Sequence, residues 1–134
     1  MSKKVINVKD REITLLSQRE DDYISITDIA KYKSVNPSAV IGNWMRNRNT
    51  IEFLGIWESL YNPDFNSLEF EGINKNAGLN AFTLSPKMWV EKTNAIGLIA
   101  KSGRYGGVYA HKDIAFKFAI WISVNFELYI VKEF

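Results

Sequence analysis

The residues best suited to chemistry fall in two short stretches. Ser38, Asn43, Arg46 and Asn47 lie within ten residues of one another, between apolar positions Val40, Ile41, Trp44 and Met45. That spacing is a helical stripe, so the polar four sit on the faces between the apolar ones. Asn pairs with adenine, Arg pairs with guanine, and either reaches a phosphate. The second stretch, Lys101-Ser102-Gly103-Arg104-Tyr105-Gly106-Gly107, has three glycines, two cations and a tyrosine. Its glycines suit a tight hairpin that a nucleic-acid backbone can approach closely. Lys101 and Arg104 would neutralise phosphate, and Tyr105 would stack or hydrogen-bond. A phosphate loop of NTPase type does not fit. The GxxxxGK[ST] spacing is missing, and the run leads into a strand instead of a helix.

Other chemistries are poorly served. There is one histidine and no cysteine, which excludes disulfides, a cysteine nucleophile and a thiolate metal site. His111 stands at a helix start beside Lys112 and Asp113, where it reads as a capping or phosphate-contacting residue. Asp21-Asp22 and Glu69/Glu71 read as solvated faces, because the D…E-x-K spacing of a magnesium nuclease is lacking. No cofactor or metal is expected, and the chain reads as a non-enzyme.

The elements that must position these groups are set by local signals. Residues 5–8 and 12–16 read as short strands, and residues 23–26 continue extended. A short helix comes next, capped by Ser25 or Thr27 and ending near Tyr32. After a connection that carries Lys33, Asn36-Pro37 opens the second helix. Asn49 with Glu52 reads as a capping box for a third helix carrying Phe53, Leu54, Trp57, Leu60 and Tyr61. In residues 64–80, Phe65, Leu68, Phe70 and Ile73 allow a helix that Gly78 would end, and a loop is the alternative. Ser85-Pro86 opens another helix, with Gly97 as its stop. Strands at residues 98–100 and 108–109 flank the glycine hairpin. A helix then carries Ile114, Ala115, Phe118, Ala119 and Ile122, and a last one starts at Ser123. The four Trp residues are expected in the core.

At 134 residues the chain fits one domain, spanning 1–134. Its formal net charge of +2 is small but unevenly spread. Residues 31–48 hold bases and no acid, residues 49–72 acids and no base, and residues 85–117 mostly bases. Such alternation suggests a polarised surface. There is no signal-peptide core, and no apolar run nears the roughly 18–20 residues of a membrane span, so a cytoplasmic protein is expected.

Several segments together resemble the KilA-N domain, a DNA-binding module of bacterial, phage and large-DNA-virus proteins related to the fungal APSES domain. They are Tyr23-Ile24-Ser25-Ile26-Thr27-Asp28-Ile29-Ala30, then Trp44 with its following arginines, and Trp89. The most specific is Gly103-Arg104-Tyr105-Gly106-Gly107-Val108-Tyr109-Ala110-His111-Lys112-Asp113-Ile114-Ala115, continuing to Trp121-Ile122-Ser123. The resemblance implies an α+β fold of winged helix-turn-helix type, with short strands packed beside a helical core and a glycine-rich β-hairpin wing. It also implies docking on double-stranded DNA. The contacts would fall on Lys33, Ser38, Asn43, Arg46, Asn47 and Arg48 from the helical unit. The wing and the helix start after it would add Lys101, Ser102, Arg104, Tyr105, His111 and Lys112. A phage-related or transcription-regulatory role, a homodimer and a further domain after Phe134 are expectations of the same kind. The alternative is a protein-interaction adaptor that keeps the fold without binding DNA.

Overall fold

A computed structural model describes residues 2–8, 11–18, 21–103 and 106–122. Three strands, β1 (Ser2–Val8), β2 (Arg11–Gln18) and β3 (Asp21–Ser25), run as an antiparallel meander. Five helices come next: α1 (Ile26–Ala30), α2 (Pro37–Met45), α3 (Arg48–Tyr61), α4 (Ser67–Asn76) and α5 (Pro86–Thr93). The hairpin β4 (Leu98–Lys101) and β5 (Gly107–His111) returns to the sheet, and α6 (Lys112–Ile122) ends the described chain. The sheet order is β1-β2-β3-β5-β4, with every neighbouring pair antiparallel. The fold is therefore α+β. The last helix expected from Ser123 lies outside the described residues.

Period-2 alternation gives the central strands two buried faces. Leu15, Ile24, Leu98 and Ala110 join the main core, which also holds Ile26, Ile29, Trp44, Met45, Leu54, Trp89, Ile114 and Phe118. On the other face Leu16, Tyr23 and Tyr109 form a smaller cluster. Trp44, Trp57 and Trp89 are buried as their helical spacing predicts, but Trp121 is exposed on α6.

The helix-opening caps form as local chemistry dictates. The Ser25 hydroxyl accepts from the Asp28 N–H at 3.0 Å, Asn36 Oδ1 from Ala39 N–H at 3.3 Å, and the Ser85 hydroxyl from Met88 N–H at 3.1 Å. Three expectations need correction. The third helix is not opened by an Asn49 box. It starts at Arg48, with Asn47 at the cap position and no side-chain cap bond. Asn47 Nδ2 instead donates to the last carbonyls of α2, at Asn43 (3.0 Å) and Trp44 (3.4 Å). The corner between α2 and α3 is only two residues long, so that amide serves the outgoing helix. Residues 64–80 do contain a helix, but Phe65 precedes it and Leu68 is exposed; Phe70 and Ile73 pack on the core. Gly97 does not stop α5. Asn94 does, in the left-handed conformation at φ 58°, which asparagine tolerates better than most residues.

Gly97 has a different role. A Cβ there would lie 2.7 Å from Glu58 Oε2 and 2.5 Å from the Ile114 side chain. Glu58 is fully buried and accepts from Asn62 Nδ2 (2.9 Å), Ile96 N–H (2.9 Å) and Gly97 N–H (2.6 Å). These bonds tie α3 to the start of β4, and through it they set where the glycine hairpin emerges.

Candidate nucleic-acid interface

Two elements separated by more than fifty residues of chain meet around one cleft. The first is α2, whose buried stripe of Val40, Ile41, Trp44 and Met45 turns Ser38, Asn43 and Arg46 outward. The second is the β4–β5 hairpin with Lys101 and Ser102. Ser38, Asn43, Arg46, Lys101 and Ser102 all line the cleft, whose volume is about 810 Å³. Its apolar floor includes Ile41, Leu84 and Val108. Among the described residues that line it, Arg46 and Lys101 are the charged groups and no carboxylate joins them. The cleft is therefore electropositive and has a hydrogen-bonding rim.

The hairpin is pinned to the helices by α1. Thr27 Oγ1 accepts from the Val108 N–H at 2.8 Å, across 81 residues of sequence. Gly107, at φ 157°, lets that contact form: a Cβ there would already lie 3.2 Å from the Thr27 hydroxyl. Gly103 has φ 101°, a backbone state that favours glycine, and its carbonyl accepts from the Gly106 N–H at 3.0 Å. A Cβ on Gly106 would lie 2.4 Å from the Lys101 carbonyl. The glycines at 103 and 106 are thus required by the hairpin's own backbone. Arg104 and Tyr105, expected as wing contacts, lie outside the described residues.

Arg46 is held at one side only. Its Nη2 donates to the Asn80 carbonyl at 3.0 Å, which leaves four guanidinium N–H groups of five for other partners. That bond also brings in the segment before α5. Gly78, Leu79 and Asn80 join Asn43, Arg46 and Asn47 around a side pocket of about 250 Å³. Thr83 and Ser85 line the main cleft as well. Sequence reading missed Thr27, Asn80 and Thr83 as site residues. Ser85 was visible only as a cap.

The remaining expected residues stand apart from the cleft. Lys33 is exposed in the α1–α2 connection, and Arg48 is paired with Glu52 at 3.4 Å along α3. Lys112 is exposed and lines a small pocket with Leu15, Asp22, Ile24 and Phe116. His111 is buried at the far end of β5 and lines a different pocket. Its Nδ1 accepts from the Asp113 N–H at 3.2 Å, so it does cap α6. Its Nε2 faces Asp21 at 3.4 Å, so Asp21 is not simply a solvated charge.

The cleft is thus shared by α2, by Thr27 of α1, by the segment that opens α5 and by the glycine hairpin, and its charge is positive. The KilA-N domain family matches residues 6–134, and the chain belongs to that family, whose members are generally DNA-binding domains. No curated protein and no solved structure matches the chain.

Proposed function

We propose that this domain docks on duplex DNA as a winged helix-turn-helix. In this reading α1 and α2 are the helix-turn-helix, α2 enters the major groove, and the β4–β5 hairpin is the wing. The observation that carries it is the single cleft in which α2 presents Ser38, Asn43 and Arg46 opposite Lys101 and Ser102, with no acid among the described residues that line it. Arg46 and Lys101 supply phosphate contacts, and Arg104 adds a third by its place in the chain. Asn43, and the free edge of the Arg46 guanidinium, read base edges. Asn47 holds the end of α2 in place of touching DNA, and His111 holds the far end of the wing strand. Charge-dominated docking supplies affinity, and a few base contacts add discrimination.

The test is a fluorescence-anisotropy titration with a random duplex and a matched single strand at several salt concentrations. Salt-sensitive binding that prefers duplex is expected. Equal affinity for both strands, or none at low salt, would overturn the reading.

A further inference from the structure

A second cavity lies at the opposite end of β5 from the cleft. Gly107 borders the cleft and His111 borders this pocket, about 14 Å apart at roughly 3.4 Å per strand residue. The two share no lining residue. The pocket's volume is about 410 Å³, and its walls are unusual in kind. Tyr23, Trp57, Tyr61 and His111 supply four rings, and Asp21 and Asp113 supply two carboxylates. Among the described residues, no lysine or arginine lines it.

Two of the buried rings also make specific hydrogen bonds. Trp57 Nε1 donates to Asp113 Oδ2 at 3.2 Å, and the Tyr23 hydroxyl donates to the Ile96 carbonyl at 2.9 Å. The Trp57 and Tyr61 ring centroids lie 5.0 Å apart with the planes tilted by 49°, so the two rings pack against each other at the edge of the pocket. The His111 ring is 4.9 Å from Trp57 and 5.7 Å from Tyr23, so it joins these rings into one aromatic surface. His111 itself faces both carboxylates, at 3.4 Å from each. Two carboxylates face one imidazole, so the ring can offset at most one of them and the rim keeps a negative charge. Both carboxylates are about half exposed, at 49% and 46%, so they stand at the mouth with the exposed Tyr61, while Tyr23, Trp57 and His111 form the buried interior.

Aromatic walls with a negative rim attract a cation that has an apolar shell. Ring faces are electron-rich, and the attraction grows as the cation is desolvated. An anion would meet two carboxylates, and a neutral apolar group would gain nothing from them. We propose that this pocket binds an alkylammonium cation, the chemistry carried both by a lysine side chain and by a free polyamine. The domain thereby has a cation-reading face separate from its DNA-facing cleft, and this assignment stands whether or not the cleft binds DNA.

The test monitors the Trp57 indole N–H by nuclear magnetic resonance in the folded 134-residue chain without DNA, its signal identified by its loss in Trp57→Phe. The probes are N-acetyl-lysine methylamide, the norleucine counterpart that lacks the charge, and spermidine. A saturable shift is expected with the lysine amide, at least tenfold weaker with the norleucine amide. Asp21→Asn and Tyr61→Ala should each weaken lysine-amide binding at least tenfold with thermal unfolding unchanged, since both side chains are substantially exposed. Spermidine binding tenfold more tightly than the lysine amide would assign the free polyamine as source, and the reverse a lysine of a partner protein. Equal binding of the norleucine amide, no shift at all, or unchanged affinity in both variants would overturn the proposal.

Discussion

Removing Arg46 and Lys101 together gives the sharpest test of the cleft, because their number fixes the size of the effect. They are the two charged residues among the described residues that line it. If each neutralises one phosphate, each contributes about 0.9 to the slope of log affinity against log salt. Arg46→Ala/Lys101→Ala should then shallow the slope by about 1.8. A fourfold rise in salt, from about 50 to 200 mM, costs a single such contact roughly 3.5-fold in affinity. The gap between native and variant protein should therefore shrink by about 12-fold over that range. The assay is anisotropy on a random duplex at four or five salt concentrations. Asn43→Ala, which removes a neutral group from the same cleft, should change affinity for particular sequences and leave the slope alone. Lys117→Ala is the control, since that ammonium, on α6, sits 5.4 Å from the centroid of the Phe53 ring of α3 and does not line the cleft. An unchanged slope in the double variant, or an equal change in the control, would refute the assignment.

Further outcomes rest on single contacts. A Cβ on Gly42 would meet nothing within 4 Å, so Gly42→Ala should stabilise α2 by about 0.5–1 kcal/mol. A rise of a few degrees in the thermal midpoint would show it, whereas Gly42→Glu on the cleft wall should weaken duplex binding. Glu58→Gln would turn one of three buried N–H groups toward an amide donor, and urea unfolding should report a loss of about 1–3 kcal/mol. Burial of the Tyr109 phenol, with the Asp28 carboxylate adding to it, raises its pKa above the usual 10.0. The unfolded chain therefore loses that proton first. Stability from this group is intact below about pH 10 and falls as pH rises through the higher folded value. Tyr109→Phe should flatten that alkaline fall in a series of denaturation midpoints, and an identical fall in both proteins would count against it.

What could be read from the chain was what local chemistry decides. Ser25, Asn36 and Ser85 cap helices whose first turns their own side chains satisfy, and two of them precede proline. The alternating strands and the glycine hairpin were equally local. The polar face of α2 and the bases of the hairpin were each visible. That they share one cleft was not, because it depends on the Thr27 bond to Val108 and on Glu58 holding the start of β4. Those partners lie 38 to 81 residues apart. Asn47 misled because its amide has two helix ends within reach and serves the earlier one. His111 looked like a surface cap by its neighbours Lys112 and Asp113. Its burial comes from Asp21, Tyr23 and Trp57, which no local pattern brings to it.

The Thr27–Val108 bond also bears on how the molecule assembles. Strands β1, β2 and β3 pair with neighbours close in sequence, but β3 finds β5 only after the intervening helices have been gathered in. Such long closures slow folding, since chain entropy is lost before the contacts form. The hairpin and α2 are therefore expected to come into register at the end of folding, in the same event that completes the sheet. A chain still emerging from the ribosome would carry the residues of α2 but no cleft until the hairpin that forms its second wall has been synthesised.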